Sequence, residues 1–181
     1  DFFYIVPAGQ SERSSFIEEE RASAVADLEE RILAAGSRGN HWIIGDLNAW
    51  VGNTKQRINV HEGIINHEMV ERKLRNGRKN TRGRWLQNLM NMKDYLVVNG
   101  TKGSGDPTHF GKGEPSCIDL VIANQAAFGR TKDLVVQELW HDSDHCQVDL
   151  WTERIAPEEG SVGTLNMDEL LHNDETRALF L

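Results

Sequence analysis

The feature that most constrains this chain is a set of three apolar, strand-like segments that each carry an acidic residue at or near one end. The three acids and the apolar runs beside them are Asp46 after residues 41–44, Asp119 within residues 117–122, and Asp144 before residues 146–150. A carboxylate buried without a partner is strongly unfavourable, so acids in such positions belong where they meet a cation, an imidazole or solvent. Three such segments predict a sheet edge at which carboxylates gather.

Strand-like and helix-like segments alternate along the chain, which favours an α/β fold. Helices are expected over residues 15–32, where a capping box precedes apolar residues at helical spacing, and over residues 84–95. Residues 53–80 show no clear period and are predicted to form a long loop, and Gly36 is expected to end the first helix. The expected strands cover residues 2–6, 41–44, 96–98, 117–123, 134–140 and 145–152.

Length and composition predict one globular domain followed by a tail. The chain has 181 residues, 39% of them hydrophobic, which is enough for a substantial core. We assign residues 1–154 to the domain and residues 155–181 to an acidic linker and tail, with a short helix expected from Asn166. No apolar run approaches the roughly 20 residues needed to cross a bilayer. The start also lacks a basic leader, so the expected location is nuclear or cytoplasmic, with neither secretion nor membrane contact.

Charge is unevenly distributed along the chain. The net charge is −8, from 20 basic and 28 acidic residues, which argues against a protein that binds nucleic acid over its whole surface. Basic residues nevertheless dominate the stretch 55–84. Two interpretations of that stretch stay open: a solvated loop, or a loop that follows a phosphate backbone beside the site.

Asp46 and Asn48 stand two residues apart directly after a predicted strand. In that position Asp46 can accept a proton from water, while Asn48 can donate a hydrogen bond to a phosphate oxygen. The same two residue types are also common in ordinary turns. The pair by itself therefore does not decide between a catalytic loop and a structural one.

Asp119 and His145 are candidates for a carboxylate–imidazole pair. The acid would orient the ring and stabilise its protonated form, while the neighbouring Asp144 could bind a hard metal ion through oxygen. The alternative for His145 is a satisfied core histidine. Thr108 and Ser116 could donate hydroxyl bonds to a phosphate or could simply complete turns. The other histidines lack metal-ligand spacing and are expected to be structural, with His109 a possible exception beside Thr108.

Taken together, these motifs resemble those of the endonuclease/exonuclease/phosphatase (DNase I-like) superfamily. The closest resemblance is to the apurinic-type endonuclease domain of non-LTR (LINE-type) retrotransposons, and it spans residues 3–150. The matching segments, in chain order, are Trp-Ile-Ile-Gly-Asp-Leu-Asn-Ala at 42–49, Asn-Gly-Thr at 99–101, Pro-Thr-His at 107–109, Ser-Cys-Ile-Asp-Leu at 116–120 and Ser-Asp-His-Cys at 143–146.

The resemblance implies a four-layer αββα sandwich and a dependence on Mg²⁺ or Mn²⁺. It implies that Asp46 orients or deprotonates the attacking water, helped by Asn48 on the phosphate, and that Asp46 and Asp144 hold the metal. His145, backed by Asp119, would stabilise the scissile phosphate. Thr108 and Ser116 would be supporting phosphate contacts.

The resemblance also implies that the domain is incomplete at its N-terminus. The family places an Asn on its first strand and a metal-binding Glu after its second, and neither has a counterpart here. The expected partners are a DNA substrate and either a reverse transcriptase domain in the parent chain or a protein that supplies the missing half of the fold.

Three functional hypotheses follow. The leading one is a Mg²⁺-dependent DNA-nicking endonuclease of retrotransposon type. The second is a phosphatase of the same fold that acts on small phosphoesters. The third is a catalytically impaired or domesticated fragment that serves as a binding or structural module in a larger assembly, a hypothesis favoured by the absent Glu and the negative charge.

Overall fold

The computed structural model describes residues 2–4, 14–35, 39–61 and 64–153. The expected tail and its helix from Asn166 lie outside these residues, as does Gly36. None of the helices in the described part of the chain is long and apolar enough to cross a membrane. The elements in chain order are β1 (Phe2–Tyr4), α1 (Ser14–Ala35), β2 (Trp42–Asp46), β3 (Lys55–His61), β4 (Ile64–Glu71), α2 (Thr81–Met92), β5 (Tyr95–Val97), β6 (Asp119–Asn124), α3 (Gln125–Arg130), β7 (Thr131–Leu139) and β8 (Cys146–Thr152).

A four-stranded mixed sheet forms the centre of the fold, in the order β1-β2-β6-β5. Strand β2 runs parallel to β1 and antiparallel to β6, and β5 runs antiparallel to β6. The β2–β6 register pairs Trp42 with Ala123 at one end and Asp46 with Asp119 at the other. This register brings two acids that are 73 positions apart in the sequence to the same end of the sheet.

Both faces of this sheet are covered, and β6 shows this by the alternation of its side chains. Leu120 and Ile122 pack into a core that also contains Leu28 of α1 and Leu86 of α2. Val121 and Ala123 pack into a second core with residues of α3, β7 and β8, namely Phe128, Leu134, Val148 and Leu150. A helical layer, the central sheet and the two-stranded β7–β8 sheet are thus stacked, which confirms the α/β class.

The prediction of a long loop over residues 53–80 is wrong, because β3 and β4 form an antiparallel hairpin there. The alternation of apolar and polar residues expected of a strand is not visible in β3, because the polar residue Gln56 occupies an inward-facing position. Gln56 is only 8% exposed, and its side-chain amide both donates to and accepts from the backbone of Val97, at 2.9 and 2.8 Å. Fully hydrogen-bonded, the amide can be buried where the period-2 pattern would require an apolar side chain.

Several predicted boundaries also shift. Strand β2 extends to Asp46, which is its last residue rather than the first residue of a loop. Helix α2 begins at Thr81, because the Asn80 side chain caps it by accepting from the Gly83 N–H. Helix α3 was not predicted, because six residues capped by Asn124 are too few to show a helical period.

Arg72, directly after β4, is fully buried and has hydrogen bonds only to uncharged acceptors among the described residues. Its guanidinium donates to the carbonyl oxygens of Gly52 and Val51 at 2.7 and 2.8 Å, to Gln56 Oε1 at 3.1 Å and to Thr54 Oγ1 at 2.5 Å. Burial lowers the pKa of Arg72 to about 10. Arg72 therefore fixes the segment that follows the Asp46–Asn48 turn.

Candidate active site

Asp46, Asp119 and His145 meet at one end of the central sheet. The Nδ1 atom of His145 lies 2.9 Å from Oδ2 and 3.0 Å from Oδ1 of Asp119. One ligand atom from each of the three residues falls within 4.8 Å of the other two, and all three side chains are partly buried. The structure thus brings together three residues that sequence analysis assigned to one site, although their catalytic roles stay predictions.

Thr108 holds the backbone beneath Asp119. Its hydroxyl oxygen accepts the N–H groups of Ile118 and Asp119 at 3.2 and 3.0 Å, and its carbonyl accepts the N–H of Cys146 at 2.7 Å. The Thr108 side chain is 0% exposed, so the hydroxyl faces the backbone rather than solvent. Its position links the start of β6, where Asp119 lies, to the start of β8, which directly follows His145.

Ser116 is also buried, at 3% exposure, and its backbone pairs with His109 in both directions at 2.9 and 3.0 Å. This pairing closes the 110–115 loop and holds His109 beside the site. The predicted phosphate contact of the Ser116 hydroxyl stays a prediction.

The turn after Asp46 is held by Asn48. Asn48 adopts a left-handed backbone conformation, with φ of 46°, which Asn tolerates better than most residues. This conformation lets the Asn48 N–H donate a 2.9 Å bond to Oδ1 of Asp46, and the Asn48 side chain also hydrogen-bonds that carboxylate. A strained residue at this position fits a functional turn.

Burial raises the pKa of the Asp46 carboxyl, and the negative charge of Asp119 raises it further. The hydrogen bonds from Asn48 and the charge of His145 offset part of this rise. A carboxylate with a raised pKa is a better proton acceptor than an ordinary aspartate, provided that it remains ionised at the working pH.

Burial lowers the pKa of the His145 imidazole, but its hydrogen bond to Asp119 and the charges of Asp119, Asp46 and Asp144 outweigh this and raise it overall. The charged form of the ring is therefore favoured. An imidazolium held by a carboxylate can donate its Nε2–H to an anionic oxygen.

Asp144 and His109 lie on the other side of the His145 ring. The Nε2 atom of His109 is 3.4 Å from Oδ2 of Asp144, and the Nε2 atom of His145 is 4.0 Å from Oδ1 of the same carboxylate. The two imidazole centroids are 4.7 Å apart, at an interplanar angle of 56°. The two predicted metal ligands, Asp46 and Asp144, thus fall in different three-residue clusters that share His145.

His109 is a residue of this cluster that sequence analysis named only as a possible exception among the other histidines, without assigning it a role. Ligand spacing gave no signal, because His109 and His145 are 36 positions apart and are joined by an isolated antiparallel bridge rather than by a strand. The only signal was its position beside Thr108, in the Pro-Thr-His segment at 107–109.

An open cleft of about 620 Å³ continues from the Asn48 turn toward α2. Its walls include the indole rings of Trp50 and Trp85, the side chain of Arg82, and Val25 of α1. The Trp85 Nε1–H donates to Glu29 Oε1 at 3.2 Å, which fixes that ring against α1. Aromatic side chains beside a cation suit a nucleobase next to a phosphate.

The oxygen donors present fit a hard divalent cation. Asp46 and Asp119 are directly opposed in the β2–β6 register, and the charge of Asp119 disfavours ionisation of Asp46. A cation near the pair would relieve this repulsion, and Mg²⁺ and Mn²⁺ favour carboxylate ligands.

Comparison with solved structures places this arrangement in the DNase I-like α/β fold class. Two structures of NExo from Neisseria are similar to the chain: one of the 3′-5′ exonuclease from Neisseria meningitidis, and one described as a 3′ phosphatase bound to product DNA hairpin. Each aligns with a TM-score of 0.51 and 18% identity, over 78% of this chain and 56% of the Neisseria chain. This chain thus spans just over half the length of that neighbour. No family model and no curated protein matches the sequence.

Proposed function

We propose that this chain carries the catalytic centre of a divalent-metal-dependent phosphodiesterase that acts on DNA, and that it nicks the duplex as retrotransposon-type endonucleases do. The observation that supports this proposal most directly is that ligand atoms of Asp46, Asp119 and His145 lie within 4.8 Å of one another at the end of the sheet. Asn48 lies beside them. The DNA-processing descriptions of the fold neighbours support a nucleic-acid substrate.

Asp46 is the proposed general base. Its carboxylate takes a proton from a water molecule as the water oxygen attacks phosphorus and the bond from phosphorus to the leaving ester oxygen breaks. That leaving oxygen takes its proton from solvent. The raised pKa of Asp46 suits this transfer, because proton transfer is most efficient when the pKa of the base approaches the working pH.

His145 is the proposed electrophile. Its Nδ1–H is held by Asp119, so its Nε2–H can donate to a phosphoryl oxygen on which negative charge develops. A Mg²⁺ ion bound beside the Asp46–Asp119 pair would supply further positive charge to the phosphoryl oxygens, whereas Asp144, the other predicted metal ligand, belongs to the second cluster. Thr108 acts indirectly: its hydroxyl oxygen accepts the backbone N–H of Asp119 and so holds that residue in position.

The cleft beside Asn48 is the proposed binding site for the DNA strand. Arg82 and Trp85 lie at the start of α2, and Trp50 lies between β2 and β3. Arg82 belongs to the basic stretch 55–84 of a chain that is acidic overall. Aromatic stacking and local positive charge together support single-stranded or locally opened DNA. Of the two interpretations of the basic stretch, this arrangement favours the phosphate-following one for its α2 end.

Removal of 3′ phosphates, or of nucleotides from a 3′ end, is the second candidate. It is favoured by the printed descriptions of the fold neighbours as a 3′ phosphatase and a 3′-5′ exonuclease. The chemistry at phosphorus is the same, so the two candidates differ in where along the strand the site binds.

The test is nicking of supercoiled plasmid by the purified chain in Mg²⁺, beside digestion of a duplex that carries a labelled 3′ phosphate. We expect metal-dependent nicking that EDTA abolishes and that Asp46→Asn lowers by about 10²–10⁴-fold. His145→Ala should lower it by about 10²–10³-fold. His141→Ala is the matched control, because His141 is exposed in the same loop. Loss of 3′ phosphate without nicking supports the second candidate. A folded chain that does neither contradicts both and favours a binding module.

A further inference from the structure

We propose that His109, Asp144 and His145 form a binding site for a transition-metal ion of the Zn²⁺ type, separate from the oxygen-ligand site assigned to Mg²⁺. When this site is filled, the metal occupies the Nε2 atom of His145 that the proposed reaction needs. The binding itself is independent of the proposed function, whereas the inhibition that follows from it rests on that function.

The ligand atoms are already close to the spacing that a tetrahedral ion requires. Zn²⁺ binds imidazole nitrogen and carboxylate oxygen at about 2.0–2.2 Å, which places neighbouring ligand atoms about 3.3 Å apart. His109 Nε2 and Asp144 Oδ2 are 3.4 Å apart, and His145 Nε2 is 4.0 Å from Asp144 Oδ1. The Asp144 side chain is 63% exposed, so a small rotation can shorten the longer distance.

Asp119 prepares His145 to be a ligand. Histidines that bind metal usually donate their other ring N–H to a carboxylate, which fixes the tautomer and the ring orientation. The Nδ1 atom of His145 lies 2.9 Å from Asp119, so a neutral ring presents its Nε2 lone pair toward Asp144. The carboxylate–histidine part of a metal site is therefore already in place.

The backbone holds the three ligands in register. His109 and His145 are partners in an antiparallel bridge, and the Phe110 N–H donates to the carbonyl of Asp144 at 2.7 Å. The Cys146 N–H donates to the carbonyl of Thr108 at 2.7 Å. Because the ligands come from two segments that backbone hydrogen bonds hold together, little ordering of the chain is needed on metal binding.

Two imidazoles and one carboxylate favour Zn²⁺, Co²⁺, Ni²⁺ or Cu²⁺ over Mg²⁺. Imidazole suits these borderline ions, whereas Mg²⁺ prefers oxygen ligands in octahedral geometry. Three protein ligands leave a fourth position open to water, as in catalytic rather than structural zinc sites.

The direct test is titration of the purified full chain with Co²⁺, followed by visible absorption, and with Zn²⁺ against a chromophoric chelator. We expect one equivalent to bind, with the intense visible bands of a four-coordinate Co²⁺ ion. His109→Asn should weaken binding at least 10-fold, and Asp119→Asn by about 10–100-fold. His141→Asn is the matched control and should bind as the unchanged chain does.

Circular dichroism of each variant shows whether it folds, and His109→Gln replaces His109→Asn if that variant does not. The site would be overturned by a folded chain that takes up no Co²⁺, or by folded His109 variants that bind like the unchanged chain. An octahedral Co²⁺ spectrum would likewise contradict nitrogen-rich four-coordination.

The second arm measures Mg²⁺-dependent plasmid nicking as Zn²⁺ is added. We expect Zn²⁺ to inhibit the unchanged chain, with a midpoint at least 10-fold higher for His109→Asn. Metal binding without any nicking would contradict the proposed function and leave the site standing. Nicking that Zn²⁺ inhibits equally in both proteins would contradict this site as the cause.

Discussion

The side-chain amide of Asn80 donates a 3.2 Å hydrogen bond to the carbonyl oxygen of Asn48. The same Asn80 side chain accepts from the N–H of Gly83 at 2.7 Å and from the N–H of Trp50 at 3.1 Å. One side chain thus caps α2 and holds the turn that orients Asp46. The stability of the helix and the geometry of the candidate site are coupled through it.

Two substitutions of Asn80 can separate its role as a helix cap from its role in holding the turn. Asn80→Ala removes the cap and should lower the free energy of unfolding by about 1 kcal/mol as well as lower kcat. Asn80→Asp keeps an acceptor for both N–H groups but cannot donate to Asn48, so it should lower kcat with a smaller loss of stability. Urea unfolding and plasmid nicking measure the two quantities. Equal effects of both substitutions on both quantities would contradict the division.

The rate of cleavage should depend on pH through two groups whose pKa values are both raised. Asp46 must be ionised, so activity should rise with pH through a pKa above 3.8, and His145 must be protonated, so activity should fall through a pKa above 6.5. Asp119→Asn removes the main partner of His145 and should move the alkaline limb to lower pH. The kcat/KM profiles of the two proteins check this, and an unmoved alkaline limb would exclude His145 as the group that titrates.

The raised pKa of His145 also affects the stability of the fold. Because the pKa of His145 is raised in the folded state, its charged form contributes stability that is fully present below the unfolded pKa. That contribution is lost as pH rises through the folded pKa. Urea unfolding of the unchanged chain and of His145→Gln at several pH values should therefore converge at alkaline pH. A difference that stays constant with pH would mean that the charge contributes nothing.

Arg72→Lys should destabilise the fold although it keeps the charge. A lysine has a single ammonium group and cannot reach the four acceptors that surround the guanidinium. Each buried acceptor left without a partner costs about 1–3 kcal/mol, so we expect a loss of about 2–4 kcal/mol by chemical denaturation. Arg75→Lys is the exposed control and should change stability by less than about 0.5 kcal/mol.

Gly83→Ala should destabilise the chain, although alanine is the better helix former. A Cβ at Gly83 would lie 1.8 Å from the carbonyl oxygen of Trp50, so α2 would have to move away from the turn. We expect a loss of about 1–3 kcal/mol together with weaker DNA binding. Gly129→Ala in α3 is the matched control, because a Cβ there meets nothing within 4 Å. A gain in stability from both substitutions would contradict the close packing of α2 on Trp50.

The sequence predicted secondary structure and site residues best where a run of apolar residues and a recognisable motif occurred together. The central strands that hold Asp46 and Asp119 were predicted to within two residues, because apolar residues fill most of both segments. The β3–β4 hairpin was missed because Gln56 is buried at an inward position, and its partners on Val97 are invisible in the sequence. His109 was kept only as a possible exception and given no role, because a long-range bridge, rather than a local period, brings it to His145.

Asp46 ends one strand and Asp119 begins the strand paired with it, so the spacing of their carboxylates is set by the backbone ladder and not by a loop. This separates two kinds of change in chain length. Residues added or removed in the exposed tip of the 110–115 loop leave the ladder as it is, so the length of this loop can vary without moving the two acids. A single residue inserted within β2 or β6 shifts the register and turns one acid toward the opposite face. Tolerance of insertions, mapped position by position, should therefore fall sharply within these two strands.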